Sequence, residues 1–550
     1  VPADATTPTT AHALTVDIRE FPWIRRLAAD YVFDYDLVEP FFAGNPAMPA
    51  AWAETIARSQ ATARRPADLA RVVAEQQSRR EAPAEARAAA ARLADPAARV
   101  VITGQQAGLF GGPLFTLLKA LTTMRLATHV EQTHGVPVVP VFWIDAEDHD
   151  WAEVSGCTVL DPDLAPRTIR LHDLAGAGER PVAQLVLDDT VTAAIDALES
   201  ALPETEFRAE LVAGLRHAYR PGRGMADAFG CWLETVLGSH GLVVFDASDP
   251  AAKPLAREIF MREIATPGRT AELAGRAGQA LVAKGYHAQV TPHEGAISLF
   301  HLDASREAIK ATGEQATIGA RTTTLAGLAD EAAGAPDHFS PNVLLRPLVQ
   351  DAIFPTICYV AGPNELAYLG QLREVYTHFA IAMPLLYQRA TATLVDSATL
   401  RFLGKYALPL TALQPRDEKA LNDLLESQLP PSVEHALTGV SSLVTQQMES
   451  LLGVIPQIDP TLEGTVRTTL GKMQHEIQTL HNKVIQAAKR KDETLRRQFQ
   501  RAQALTFPSG HPQEREIGFV WFLNRYGPAL IPRLREDIPL GMGQHYVLAI

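Results

Sequence analysis

The chain has 550 residues, 47% hydrophobic and 21% charged, and is long enough to bury large cores without disulfide or metal staples. Its net charge of −13, from 50 basic and 63 acidic side chains, excludes a general nucleic-acid binder, whose phosphate contacts require a basic surface. Three cysteines, Cys157, Cys231 and Cys358, form no C-x-x-C pair; this excludes a disulfide framework and points to a reducing, cytoplasmic compartment. No apolar run approaches the roughly 18 residues that span a bilayer, so no membrane partner is expected.

Residues 1–98 read as an N-terminal helical segment, frayed over its Thr-, Ala- and Pro-rich start. Residues 82–98 are dense in alanine and predict a solvent-facing helix that Asp95-Pro96 ends. The α/β core is expected over 99–395. Val100-Val101-Ile102 is a short apolar run leading into TGQQAGLFGG. Pro113, well suited to a first helical position, opens a helix to about Glu131, and His134-Gly135 breaks it. VPVVPVFWI (136–144) then reads as a buried parallel strand, completing a βαβ unit. Further βα junctions fall at 241–250 and 353–379, with a strand-like MPLLY at 383–387, while 155–215 and 280–340 alternate short strands and turns and read as insertions. The expected fold is a doubly wound, Rossmann-like sheet with ligands outside the strand carboxyl ends.

Residues 396–505 predict a helical coiled-coil region. Leu470, Met473, Ile477, Leu480, Val484 and Ala487 step by 3,4,3,4,3, a seam of period 3.5 that needs a partner. That partner is either an internal hairpin with the leucines near 421–428 and 441–452, or a second copy. Residues 506–550, with the amphipathic FVWFLNRYGPALIPRLRE (519–536), are expected to pack back on the core.

Three stretches carry candidate chemistry. In the first, Thr103, Gly104, Gln105, Gln106, Gly111 and Gly112 form a glycine-rich loop at a helix N-terminus with Lys119 less than two turns on. Free amides and the positive dipole end suit a carboxylate or phosphate, although a tight βα turn explains the same residues. In the second, Asp145, Glu147, Asp148, His149 and Asp150 crowd the end of the 136–144 strand. Such carboxylates repel unless an amine, cation or metal sits among them, and Asp148, His149 or Glu147 is a candidate base; a solvated acidic turn is the plainer alternative. There is no H-E-x-x-H and no second histidine at ligand spacing, so no metal is assigned. The third comprises Asn342, Arg346, Gly362, Asn364, Glu365, Tyr368 and Gln371. Arg346 suits bidentate carboxylate or phosphate binding, or else pairs structurally with Asp351 or Glu365.

VITGQQAGLFGGPLFTLLKA, PVFWIDAEDHDWAEV, SPNVLLRPLVQDAIFPTICYVAGPNELAYLGQL and FVWFLNRYGPALIPRL, in this order, resemble the bacillithiol biosynthesis cysteine-adding enzyme family from about Phe21 to the end. The resemblance implies a nucleotidyltransferase-like Rossmann core with connecting-peptide insertions and a coiled coil that mediates homodimerisation. It implies a ligase joining L-cysteine to the amino group of glucosaminyl malate as an amide. It also implies an ADP/ATP-type nucleotide site near the coiled coil, for which the basic run Lys489, Arg490, Arg497 and Arg501 offers residues. The H-x-G-H and K-M-S-K-S motifs of related nucleotidyltransferases are absent, so adenylation of cysteine has no motif behind it. Two other classes fit the residues: a Mg-dependent nucleotidyl transferase or hydrolase using the 145–150 carboxylates, and a non-catalytic nucleotide-binding adaptor.

Overall fold

The structure, a computed structural model, describes residues 14–62, 64–293, 295–302, 305–428, 431–491 and 493–550; side chains at 431, 485 and 488–491 lie outside the described set. The chain forms two compact units. One runs to Leu394 and resumes over Gln513–Ile550; the other is Val395–Pro512.

The first unit is built on five parallel strands: β1 (Arg99–Gln106), β2 (Val138–Asp145), β3 (Val243–Asp246), β4 (Thr356–Ala361) and β5 (Leu385–Gln388). Their spatial order is β5-β4-β1-β2-β3, the doubly wound arrangement in which the chain reverses direction across the sheet between β1 and β4. Both faces are buried, so the strands read as nearly continuous apolar runs rather than alternating ones. Val100, Ile102, Val139, Val141 and Trp143 face one core, and Val101, Val138, Ile357 and Leu385 the other. Each fully buried side chain of this size contributes roughly 1.5–3 kcal/mol. The helix α1 (Leu114–His134) crosses from β1 to β2 and sends Leu126, Ala127 and Val130 into the second core. Pro113 caps its start, and Gly135 ends it at φ 65°, donating its amide to Glu131 O at 3.0 Å.

The N-terminal segment departs from an all-helical reading. Leu14–Asp17 is a strand paired antiparallel with Gln544–Ala549, a partner at the other end of the chain that local pattern cannot reveal. The alanine-rich stretch is a short helix, Ala84–Ala91, with Ala86 and Ala90 buried, so it packs rather than facing water on all sides. Of the two insertions, 155–215 holds one hairpin (Gly156–Leu160 with Pro166–Arg170) followed by two helices, Thr190–Ala201 and Arg208–Ala218. The other carries a five-stranded antiparallel sheet that includes Ala296–Leu302, Arg306–Thr312 and Phe339–Pro341.

The second unit is helical. Pro431–Val454 and Leu462–Lys491 pack as an antiparallel pair, bridged by Gln474 donating to Thr445 Oγ1 at 3.3 Å. The 470–487 seam therefore does have an internal partner. Met473 and Leu480 nevertheless remain 43% and 54% exposed.

Candidate active site

A cavity of about 640 Å³ opens at the carboxyl ends of β1, β2 and β4, where a doubly wound sheet leaves a crevice between strands whose crossovers run in opposite directions. Register fixes its floor: Gly104 lies beside Trp143, Gln105 beside Ile144 and Gln106 beside Asp145.

One wall is a connected network around Glu365. Its carboxylate takes the Lys119 ammonium at 2.6 Å, the Gly362 amide at 2.6 Å and the Tyr359 hydroxyl at 2.8 Å. Burial, the largest single influence, would raise its pKa, but the Lys119 charge together with the hydrogen bonds from Lys119, Gly362 and Tyr359 holds it below the ordinary carboxylate range. Lys119 also donates to Gly104 O at 2.8 Å and to Gln105 Oε1 at 3.2 Å, tying β1 to β4. Arg346 reaches Asp145 at 3.6 Å, Gln350 at 3.2 Å and the Tyr368 hydroxyl at 3.4 Å. Its ion-pair partner is thus Asp145; Asp351 instead accepts hydrogen bonds from Tyr376 and Gln350.

The opposite wall is acidic. Asp145, Glu147, Asp148 and Glu153 line the cavity. Three of them meet protein cations: Asp145 meets Arg346, Glu147 meets the buried ammonium of Lys253, and Asp148 meets Arg306 at 3.1 Å. Burial raises the pKa of Asp145 and of Glu147. Glu153 is raised by burial and then by the neighbouring charges of Asp150, Asp148 and Asp145, so it holds a proton more readily than an ordinary glutamate.

The structure brings Gly104, Gln105, Gln106, Lys119, Asp145, Glu147, Asp148, Asn342, Arg346, Gly362, Asn364, Glu365 and Tyr368 to this one cavity, from stretches far apart in sequence. Other candidates lie elsewhere. Thr103 donates to Val360 O between strands at 2.8 Å. Gln371 is buried and spends its amide on Ala274 O and Val290 O. Asp150 caps the helix Trp151–Val154, and the His149 ring is 56% exposed beside Asp148. Gly111 and Gly112 turn inward. The Gly111 amide is shared by Tyr219 Oη and Gly108 O, the Gly112 amide goes to Leu109 O, and Gly112 O accepts from Phe519. The Gly111 and Gly112 amides, expected to hold an anion, are therefore consumed by the protein. In the second unit Arg501 pairs with Asp396 at 2.6 Å and Arg497 is exposed, while the side chains of Lys489 and Arg490 lie outside the described residues.

Sequence reasoning missed Glu153, Arg306, Arg389 and Arg515. Arg389 directly follows β5, so the strand-carboxyl-end rule could have found it. Arg515 comes from the C-terminal segment, alongside Glu514, which clamps Arg389 through bonds of 2.7 and 3.0 Å. Nothing local marks that segment as part of a cavity. The three cysteines are buried and free, and burial pushes the Cys157 thiol up to about 12, so none is a poised nucleophile.

Comparison with known proteins agrees with this architecture. Residues 13–390 match the model described as bacillithiol biosynthesis BshC, N-terminal Rossmann-like domain, and residues 392–550 match the BshC C-terminal coiled-coil domain. A Salinibacter ruber protein is 34% identical over 95% of this chain and 96% of its own length, and one from Symbiobacterium thermophilum is 33% identical over 82% and 84%. A Chlorobaculum tepidum protein is 32% identical over 81% and 82%; all three carry the name "Putative cysteine ligase BshC". Two family models that together span nearly the whole chain, and full-length relatives at this identity, establish that the chain belongs to the bacillithiol biosynthesis BshC family.

Proposed function

We propose that the protein is a cytoplasmic amide-forming ligase that joins L-cysteine to the amino group of glucosaminyl malate, giving bacillithiol. The observation that carries this reading is one cavity with opposed charges, at the switch point of the sheet, in a chain of this family. Cysteine brings an ammonium, which suits Asp145 and Asp148. The malate brings carboxylates, which suit Arg389 and Arg515. The sugar amine must lose a proton to attack the activated cysteine carbonyl, and Glu153, with its raised pKa, is the acceptor we assign. As the C–N bond forms, charge builds on the carbonyl oxygen, which the Arg346 side of the cavity stabilises; as the carbonyl re-forms, the bond to the leaving oxygen breaks and the activating group departs with that oxygen and its electron pair.

Among the described residues the 145–150 carboxylates do not bring three ligand atoms close enough together to hold one ion, which favours this over a Mg-dependent transferase. The test is to incubate the protein with cysteine and glucosaminyl malate, with and without ATP, and detect product by mass spectrometry. Product of the amide's mass is expected; its absence under both conditions overturns the reading. We further propose a homodimer through the coiled coil, supported by the apolar surface left at Met473 and Leu480. Ile477→Glu with Leu480→Glu is expected to give monomers by sedimentation.

A further inference from the structure

The insertion that carries the antiparallel sheet contains a second convergence of side chains, apart from the cavity. His301 sits on the strand Ala296–Leu302, paired in register with Phe339, so His338, the residue before Phe339, comes alongside it. The two imidazoles have ring centroids 5.9 Å apart. Glu331, on the helix Leu325–Gly334, points one oxygen at both: Oε1 lies 2.8 Å from His301 Nε2 and 3.1 Å from His338 Nδ1. The three ligand atoms all fall within 4.8 Å of one another. Arg321 takes the other oxygen, Oε2, at 2.8 Å, which fixes the carboxylate's rotation and leaves Oε1 turned to the rings.

We infer that His301, Glu331 and His338 form a binding site for a single zinc-class divalent cation. Two neutral imidazoles and one carboxylate are a donor set that suits zinc among the divalent metals, and three protein ligands leave a fourth position for water. Tetrahedral bonds of about 2.0–2.1 Å put neighbouring ligand atoms about 3.3 Å apart. The two carboxylate–imidazole separations of 2.8 and 3.1 Å need to open by only a few tenths of an ångström, while the two ring nitrogens, within 4.8 Å of each other, are brought together by rotation of the exposed His338 ring. Burial is graded in the way an entry path requires: the His301 side chain is 7% exposed, Glu331 17% and His338 48%. The ion would enter from the His338 side. Once bound, it would lock the helix Leu325–Gly334 and the turn Pro336–His338 onto the strand Ala296–Leu302. That turn leads through Phe339–Pro341 to Asn342 and Arg346 of the cavity, so the cation would brace the segment that delivers them. No local motif marks the site, because its ligands come from a strand, a helix and a turn.

The experiment uses the full chain, stripped with a chelator and dialysed against Zn²⁺, with bound metal measured by elemental mass spectrometry; Co²⁺ supplies a visible-absorption readout of coordination. One equivalent is expected, with the d–d bands of four-coordinate Co²⁺. His338→Ala removes the exposed ligand with little packing cost and is expected to weaken binding by about 100-fold or more, at or beyond the upper end of what losing a supporting hydrogen bond costs. Glu331→Gln should do the same. Failure of the wild-type chain to retain zinc, or equal retention by His338→Ala, would overturn the assignment.

Discussion

The loops that follow β1 and β2 leave neighbouring strands at the same edge of one sheet, yet they do opposite work. The end of β1 gives Gly104, Gln105 and Gln106 to the cavity, and the helix beyond the loop gives Phe115 and Lys119. From Gly108 to Gly112 the chain folds inward against the C-terminal segment, where a Cβ on Gly111 would come within 2.3 Å of the Phe519 ring. β2 ends on Asp145 at the cavity, and the chain beyond stays there and places Glu147, Asp148 and Glu153. Glycine-rich loops and acidic loops both invite a ligand reading. What separates them is where their polar groups are satisfied: the first by its own protein, the second partly by cations across an open space.

The contrast predicts that damage to the first loop appears as instability and damage to the second as lost turnover. The largest effect is expected outside both loops, at the ion pair that ties the end of β1 to the segment after β4. Lys119→Met strands the Glu365 carboxylate beside Tyr359 without its counter-charge, and breaking a buried pair this way costs about 3–5 kcal/mol of stability. Denaturant unfolding measures it, and a loss under about 1 kcal/mol would show that Glu365 is solvated. Gly111→Ala comes next, at about 1–3 kcal/mol of overpacking strain, with turnover per folded molecule unchanged. Asp145→Asn should act mainly on turnover, with kcat/KM lowered by about 2 kcal/mol of transition-state stabilisation, roughly 30-fold, beyond the stability lost with its contact to Arg346. If Gly111→Ala abolished turnover in a stable protein, or Asp145→Asn destabilised without slowing, the division of labour would be reversed.

How much of this was legible beforehand follows the range over which each signal acts. The βαβ unit of β1, α1 and β2 was readable because apolar runs, Pro113 and Gly135 are local signals of strand, helix start and helix stop. The acidic cluster was readable because charges directly after a buried strand are unusual. The inward turn of Gly111 was not, since its reason is Phe519, which arrives hundreds of residues later. Arg515 and the pairing of Leu14–Asp17 with the C-terminal strand were hidden for the same cause. Glu153 stands in DAEDHDWAE with nothing local to set it apart from its acidic neighbours; what distinguishes it is that burial and three neighbouring carboxylates together raise its pKa.

That shift gives the smallest and most specific prediction. Glu153 has an ordinary value of 4.5 and a higher one in the folded protein, so between the two the folded state binds the proton that the unfolded state has released. Stability from this group is therefore fully present below about 4.5 and is lost as pH rises through the folded value. Replacing the carboxyl with an amide removes the cost that partial burial and the neighbouring carboxylates place on the charge. Glu153→Gln should then unfold at a higher temperature than wild type above that window, with the difference vanishing at pH 4.5 and below. As a base, the same carboxylate must be ionised to accept the amine proton, so the acid limb of kcat/KM in the wild type should lie above 4.5, and the variant should lose both that limb and most of its turnover. Paired thermal melts and pH–rate profiles measure the two effects on one variant. A Glu153→Gln protein less stable than wild type at neutral pH would mean that the ionised carboxylate is held by cations such as Arg515, and the acidic wall would then resemble the Glu365 network opposite it.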